Sequence, residues 1–469
     1  MRRVVTAGVT AASLLSIWTL LLAGAACASS SQEQPPPTPQ ALAEVWERER
    51  RPLPPPPLVT HQIVESEVAR LVQDSTGLVR SEIAGRSVEG RAIHHLTIGR
   101  GPTPVLLWSQ MHGDEPTATS ALLDICQWLL THQHEPVAAR LLDSLTLHVV
   151  PMLNPDGAER FQRRNAQGID INRDALHLQT PEGQVLKALR DRFAPVVGFN
   201  LHNQNWRTSV GTPPRPAVVS LLAVAYDEAR SEDARRHLTK RVSSVIVGAL
   251  EPFVAGQIGR YDDAFEERAF GDNITRWGTG VVLIETGAWP GPDPDRMLVK
   301  LNFVALITAL DAIATGAVDR ADPAVYERLP ENDNLLLHTI VRGATVLAGT
   351  RVPPFRADVG IAGTRGVRQT PGGRRLQWQA SIQEIGDLRV YGALETIDGA
   401  GLFVSAVYSP ATVGQEVVVP DGGGAATGAA GRAASAGPTV TLGAPARLWL
   451  LRAGSLPGRY RIERVIEIR

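Results

Sequence analysis

The 469-residue chain is predicted to be an α/β protein with a mixed, mostly parallel sheet flanked by helices, followed by a small C-terminal all-β domain. Two observations lead to this prediction. Between about residues 93 and 315, apolar strand-like runs alternate with patterns of helical period, as in sheets wrapped by helices. After Gly316 no long helical pattern follows, and short β-rich segments are broken by Gly and Pro.

The first 27 residues have the layout of a signal peptide. Met1-Arg2-Arg3 precedes an apolar segment from Val4 to Ala23, and small residues continue to Cys27. Gly24-Ala25-Ala26-Cys27 resembles a lipobox with Gly in place of the usual Leu, which implies a lipid on Cys27. Cleavage after Ala23-Gly24-Ala25 and an uncleaved membrane anchor are the alternatives. We therefore expect an exported protein, either a periplasmic or envelope-attached lipoprotein or a secreted one.

Composition divides the rest of the chain into segments. Residues 28–57 are rich in Pro and Ser, which predicts a linker. Order is predicted to begin near Leu58, with one folded domain over 58–318 and a connector over 319–339. The β-rich domain covers 340–469 and includes a flexible Gly/Ala loop at 421–437. Nothing in the sequence indicates the oligomeric state.

The first folded domain begins with a helical pattern near Ile63, then a strand, a turn and a second strand across Ser81 to Ile93. Apolar runs then predict strands at about 93–98, 104–109, 145–151, 196–201, 218–225 and 279–285. Helices are predicted between them at about 117–131, 182–193, 230–249 and 295–315.

The charge pattern argues against a nucleic-acid partner. The formal net charge is −1, and charged residues make up 20% of the chain without a Lys/Arg run. A nucleic-acid-binding protein is expected to carry a basic face.

His112 and Glu115 lie three residues apart where the strand at 104–109 runs into the helix at 117–131. Open α/β sheets usually bind ligands at this end of their strands, and the pair suits a zinc site. The alternative is a carboxylate at a helix start beside a surface histidine. A zinc site with an open position needs a third protein ligand. His202 supplies it at the end of the apolar strand 196–201.

Further motifs follow in chain order. They are Asn154-Pro155-Asp156-Gly157, an arginine-rich segment ending in Asp170-Ile171-Asn172-Arg173, and Glu285 at the end of the strand Val281 to Glu285. With the HxxE pair and His202, this order resembles that of the zinc carboxypeptidase family, the carboxypeptidase A-like metallopeptidases. The resemblance covers about residues 80–315, including the turn Ser87 to Arg91.

The resemblance implies one zinc ion per chain, with His112, Glu115 and His202 as its protein ligands. It also implies that Asp170 accepts a hydrogen bond from the other ring nitrogen of a ligand histidine, His112 in the first instance. Metal-bound histidines usually need such a partner. The fold implied for 58–318 is carboxypeptidase-like.

The same resemblance assigns the residues that contact substrate. Asn172 and Arg173 would hold a terminal carboxylate, a task suited to a guanidinium group. Arg163, with Arg164 as the alternative, would stabilise charge on the carbonyl oxygen. A carboxylate ending an apolar strand either leaves the sheet or takes part in chemistry, and the resemblance implies that Glu285 is the general base.

Several positions depart from the family pattern. Asp114 stands where classical members have Arg, as in members that act on murein peptides or small acylated amino acids. Tyr261 is assigned to substrate binding as the family's mobile tyrosine. Asp272, in Phe270 to Asn273, would favour a cationic side chain, and the alternative there is a simple turn.

The predicted function is that of a zinc-dependent metallocarboxypeptidase, which hydrolyses a peptide bond near a free C-terminal carboxylate. The partner is a peptide or peptide-like substrate. One alternative is a zinc amidohydrolase acting on murein peptides or acylated amino acids. The other is a non-catalytic zinc-containing binding module, for which Glu285 would have no use.

Overall fold

An eight-stranded mixed sheet forms the centre of the first part of the chain, in the order β1-β2-β4-β3-β5-β10-β8-β9. Four of its seven neighbouring pairs are parallel. β6 and β7 form a separate two-stranded sheet. The strands are β1 (Val79–Arg86), β2 (Ala92–Gly99), β3 (Thr103–Ser109), β4 (Leu145–Val150), β5 (Val197–Asn203), β6 (Ser209–Val210), β7 (Arg215–Pro216), β8 (Val219–Ala223), β9 (Ile258–Arg260) and β10 (Gly280–Thr286).

Helices cover both faces of this sheet. They are α1 (Pro39–Glu49), α2 (His61–Asp74), α3 (Thr117–Thr131), α4 (Pro136–Ser144), α5 (Pro155–Arg160), α6 (Pro181–Phe193), α7 (Ala234–Val254), α8 (Phe270–Arg276), α9 (Pro294–Ala314) and α10 (Ala324–Glu327). Alternate residues of β3 face opposite layers, as the pleat requires. Val105 and Leu107 pack in the core on one face of the sheet, with residues of α1, α2, α3, α4, α7 and α9. Leu106 and Trp108 pack in the core on the other face, with residues of α6 and α8.

Local signals set where these helices begin. Thr60, Thr180 and Asp233 each accept a hydrogen bond from the backbone N–H three residues on, which caps α2, α6 and α7. In the described part of the chain, α9 is the one helix long and apolar enough to cross a membrane. Because 72% of its most apolar stretch is buried inside the protein, α9 is a core helix.

The computed structural model describes residues 37–349, 352–407, 409–419 and 439–468. The predicted signal peptide with Cys27, the first part of the predicted linker and the predicted loop at 421–437 lie outside the described residues.

A second eight-stranded sheet makes up the C-terminal part of the chain, which confirms the predicted all-β domain. Its order is β13-β12-β11-β15-β17-β18-β16, and β14 pairs with β11 beside β15. The strands are β11 (Leu336–Leu347), β12 (Phe355–Thr370), β13 (Gly373–Gly386), β14 (Gly392–Asp398), β15 (Phe403–Ala406), β16 (Glu416–Val418), β17 (Arg447–Ala453) and β18 (Arg459–Glu467).

The hairpin of β12 and β13 packs against the first domain. Arg365 forms an ion pair with Asp295 at the start of α9. Arg374 donates to the carbonyl oxygen of Ala158 at 3.0 Å. The ring centroid of Trp378 lies 6.4 Å from that of Trp206. The two domains therefore share an interface.

The predicted core strands and helices are confirmed within a few residues at each end. The predicted linker over 28–57 is wrong from Pro39 onwards, because α1 packs on the domain there. Leu42 and Trp46 are buried, and Trp46 Nε1 donates to Asp124 Oδ2 at 2.7 Å. Part of the predicted connector is folded too, because Tyr326 of α10 is buried and its hydroxyl oxygen accepts a hydrogen bond from the backbone N–H of Ala223 in β8 at 3.0 Å.

We expect Trp46→Phe to destabilise the protein by about 1–3 kcal/mol, because it leaves a buried carboxylate oxygen of Asp124 without its donor. Chemical denaturation of the full chain measures this. Glu44→Ala, at an exposed position of the same helix, is the control. Equal stability of the two variants would contradict the packing of α1.

Candidate functional site

Three adjacent parallel strands, β3, β5 and β10, end beside one another and carry the predicted site. His112 and Glu115 lie in the loop after β3, His202 lies near the end of β5, and Glu285 lies near the end of β10. Glu285 pairs in register with His202. The sheet therefore brings together side chains that are up to 173 residues apart, from His112 to Glu285.

The donor atoms of His112, Glu115 and His202 converge on one point. Glu115 Oε1 lies 2.8 Å from His112 Nδ1, and Glu115 Oε2 lies 2.6 Å from His202 Nδ1. The two Nδ1 atoms are 3.1 Å apart. All three side chains are buried. Ligand atoms around a tetrahedral zinc, at bond lengths of about 2.0–2.1 Å, lie about 3.3 Å from one another. The cluster therefore fits such an ion after small outward shifts.

Asp170 sets the orientation of the first histidine. Its Oδ1 lies 3.1 Å from His112 Nε2, which donates the hydrogen bond and leaves the Nδ1 lone pair towards the cluster. Although burial acts against it, the carboxylates of Glu115 and Asp170 raise the pKa of His112 to about 9. The site thus favours positive charge, as a cation site should.

The motif Asn154-Pro155-Asp156-Gly157 holds this loop in place. Asn154 Oδ1 caps α5 at the N–H of Gly157, while its Nδ2 donates to the carbonyl oxygens of Met111 and Arg163. Asp156 is fully buried and accepts hydrogen bonds from Ser87 Oγ and Arg91 Nη1 at 2.8 and 2.6 Å.

Arg163 lies in the site, and Arg164 does not. The guanidinium group of Arg163 contacts Asp170 Oδ2 at 2.9 Å and Glu115 Oε1 at 3.3 Å. Arg164 instead donates to the carbonyl oxygen of Gly168 at the protein surface. Of the two neighbouring arginines, Arg163 is therefore the one beside the ligand cluster.

Glu285 is 8% exposed, and its Oε2 has no hydrogen-bond partner among the described residues. Burial and the nearby carboxylate of Glu115 raise the pKa of Glu285 well above its ordinary value. A buried carboxylate with a free oxygen beside a cation site is suited to accept and release a proton.

A cavity of about 920 Å³ opens over the ligand cluster. Its walls include the predicted substrate residues Asn172, Arg173, Tyr261 and Asp272. Asn172 Oδ1 accepts from the N–H of Phe270, which leaves its amide nitrogen for a ligand. Arg173 lies 3.4 Å from a carboxylate oxygen of Glu266.

Asp272 is not in a simple turn, as the alternative interpretation had it, because it belongs to the first turn of α8. Its Oδ1 accepts from the N–H of Glu266 at 2.9 Å. Burial raises the pKa of Asp272 to about 6.

A second cavity, of about 690 Å³, lies between the two domains and shares Glu115 with the first. Trp206, Trp289 and Trp378 line it. Asp114 also lies in its wall, and the Oδ1 of Asp114 is buried without a partner among the described residues. Asp114 therefore faces the interdomain side of the ligand loop.

The sequence interpretation missed one wall of the first cavity. Residues 331–334, assigned to a connector, line it. Asn332 accepts from Ser220 Oγ at 2.8 Å and donates to Gln204 Oε1 at 3.2 Å. The polar run Glu331-Asn332-Asp333-Asn334 after Pro330 was the available signal.

Solved structures with similar backbones include two bacterial metallo-carboxypeptidases. One, from Burkholderia cenocepacia, has a TM-score of 0.44 at 17% identity over 55% of this chain and 69% of that chain. The other, from Pseudomonas aeruginosa in complex with (2-guanidinoethylmercapto)succinic acid, has a TM-score of 0.43 at 21% identity. That match covers 52% of this chain and 68% of the other.

Residues 64–209 match the sequence model of the family described as zinc carboxypeptidase. Curated relatives are 28% identical: carboxypeptidase 2 of Trichophyton rubrum over 30% of this chain, carboxypeptidase SOL1 of Arabidopsis thaliana over 28%, and carboxypeptidase M of Mus musculus over 24%. The matched stretches span 28%, 31% and 29% of these relatives' own lengths. Over residues 64–209 the chain is therefore similar to the zinc carboxypeptidase family.

Proposed function

We propose that the protein is a zinc metallocarboxypeptidase that hydrolyses the peptide bond next to a free C-terminal carboxylate. The observation that carries this proposal is the buried carboxylate of Glu285, with a free oxygen, beside the convergent donors of His112, Glu115 and His202. A binding module has no need of such a group. The family match and the carboxypeptidase names of the relatives support the proposal.

Each residue then has a separate task. Zinc held by His112, Glu115 and His202 supplies Lewis acidity and lowers the pKa of a bound water. Glu285 accepts a proton from the attacking water at Oε2 and passes it to the amine that leaves as the C–N bond breaks. Arg163 donates to the carbonyl oxygen as negative charge develops there.

The same cavity accommodates the C-terminal residue of the substrate. Asn172, through its amide nitrogen, and Arg173 bind the terminal carboxylate. The substrate carboxylate takes the place that Glu266 holds beside Arg173 in the free enzyme. Tyr261, in the same wall, covers the bound residue. Asp272 binds a cationic side chain.

Asp114 favours a second candidate, an amidohydrolase acting on murein peptides or acylated amino acids. It lines the interdomain cavity with Trp206 and Trp378, whereas Asp272 lines the cavity over the ligand cluster. Such a cavity could hold an amine-bearing or acyl part of the substrate away from the C-terminal residue. Export, and a lipid on Cys27, remain predictions from residues outside the described part.

We expect Glu285→Gln to retain zinc but to lose at least ~10²-fold in kcat, because an amide cannot accept the proton. His112→Ala should lose one equivalent of zinc. Metal analysis and steady-state assays of the full chain measure both. Glu251→Gln, exposed on α7, is the control for the charge change. Full turnover by Glu285→Gln would rule out its role as the general base.

Amidation of the peptide's C-terminus should lower kcat/KM by about 10- to 100-fold, the range expected for losing a hydrogen bond between charged groups. Arg173→Gln should reduce the rate for the free peptide and leave the rate for the amide almost unchanged. Arg164→Gln, outside the cavity, should alter neither rate. Muropeptides and acylated amino acids belong in the same panel. Preferential cleavage of these, with no effect of amidation, would favour the amidohydrolase.

Peptides ending in Lys should be cleaved about 10- to 100-fold more efficiently than those ending in Leu at pH 8, where the Asp272 carboxyl is ionised. Because burial raises the pKa of Asp272 to about 6, this ratio should fall as the pH drops through 6. Asp272→Asn should remove both the preference and its pH dependence. The ratio of kcat/KM values between pH 5 and 8 is the measurement, and equal rates for Lys and Leu would remove the assignment.

A further inference from the structure

A second group of histidine and glutamate donors lies on α2 and β2, separate from the residues of the ligand cluster. His61 is the first residue of α2, and Glu65 follows one helical turn later. His94 lies on β2, on the same face as Leu96 and Ile98, which pack with the apolar residues of α2. We propose that His61, Glu65 and His94 bind a second zinc ion.

The distances within this group favour an ion over direct hydrogen bonds. Glu65 Oε2 lies 3.7 Å from His61 Nδ1, and Glu65 Oε1 lies 3.7 Å from His94 Nε2. These separations are too long for hydrogen bonds. All three donor atoms nevertheless lie within 4.8 Å of one another. Closing by about 0.4 Å brings each of these two glutamate–histidine separations to the ligand spacing of a tetrahedral zinc site, and the two histidines approach each other from within 4.8 Å.

The ring of His61 is oriented for metal binding. Its Nε2 lies 2.8 Å from the carbonyl oxygen of Ala92, which can only accept, so Nε2 carries the proton. The Nδ1 lone pair therefore faces Glu65. A backbone carbonyl on the far ring nitrogen is a common support for a metal-bound histidine. Asp170 does the same for His112.

His94 supplies the second independent observation. Both of its ring nitrogens are buried, and neither has a hydrogen-bond partner among the described residues. A buried polar atom without a partner is costly, and a metal ion on Nε2 removes that cost for one of the two nitrogens. The side chain of His94 is 15% exposed and fixed between α2 and the sheet.

The charges and access of the site are also suitable. The side chain of Glu65 is 45% exposed, so a zinc ion can enter and keep a water as its fourth ligand. Two imidazoles and one carboxylate are donors that zinc takes readily. The start of α2 carries partial positive charge, which acts against a cation there. The carboxylate of Glu159 offsets this charge, because it accepts a hydrogen bond from the N–H of His61 at 2.8 Å. This zinc would fasten α2 to β2 as a structural clamp.

The test uses the full chain, stripped of metal with a chelator and then loaded with zinc. Bound zinc is counted by mass spectrometry after excess metal is removed. We expect two equivalents in the unaltered chain, and one in Glu65→Gln or His94→Ala. In a His112→Ala/His202→Ala background we expect one equivalent, which Glu65→Gln abolishes. This background separates failure at one site from failure at the other.

His132→Ala is the matched control. His132 is half-buried and also has two glutamates, but Glu49 and Glu135 lie at opposite ring nitrogens and cannot share an ion with it. Zinc content should not change in this variant.

Zinc should raise the melting temperature of the His112→Ala/His202→Ala background, and Glu65→Gln should remove that rise, because a ligand of the folded state stabilises it. Glu65 is half-exposed, so Glu65→Gln serves if His94→Ala does not fold. A single equivalent in the unaltered chain, or two that persist in Glu65→Gln, would overturn the proposal.

Discussion

The close contact between the ligand loop and the start of α5 is the constraint on which the site depends. A Cβ atom on Gly113 would lie 2.0 Å from the carbonyl carbon of Gly157, a distance that no real contact permits. With glycine at both positions, Asn154 can reach the carbonyl oxygens of Met111 and Arg163. The HxxE loop and the arginine segment are therefore held together, which sets the distance between the ligands and the guanidinium group.

Charge in this site is divided between carboxylates with different surroundings. Although burial opposes ionisation, the imidazoles of His112 and His202 hold the pKa of Glu115 well below its ordinary value. Burial instead dominates at Glu285, where Oε2 has no hydrogen-bond donor among the described residues and the pKa rises. One fold thus keeps one carboxylate ionised as a ligand and another ready to take up a proton, the usual way of assigning acid and base roles.

Features that depend on nearby residues were predictable from the sequence. The periodicity of 117–131 and the apolar run before Glu285 placed α3 and β10 correctly. Features that depend on distant contacts were not. The composition around α1 predicts a linker because the neighbouring prolines dominate it, whereas the packing of α1 depends on Asp124, 78 residues beyond Trp46.

Long-range packing also decided the details of the site. Arg163 and Arg164 are chemically identical, so long-range contacts distinguish them: Asn154 holds the Arg163 carbonyl, and Asp170 and Glu115 contact the Arg163 guanidinium group. The interdomain cavity is built from segments as distant as Asp114 and Trp378. No local pattern at Asp114 could reveal that it shares a cavity with Trp378 of the C-terminal domain.

The two histidine and glutamate groups have the same donors but different surroundings, and the surroundings decide what each can do. His112, Glu115 and His202 lie at the ends of adjacent strands, under a large cavity, with the free carboxylate of Glu285 beside them. His61 and Glu65 lie one helical turn apart, against a strand face, and among the described residues the group has no comparable buried carboxylate. Without a proton acceptor and a place for substrate, zinc there can only hold α2 on the sheet. Catalysis in this fold therefore depends on where strand ends meet rather than on the donor set.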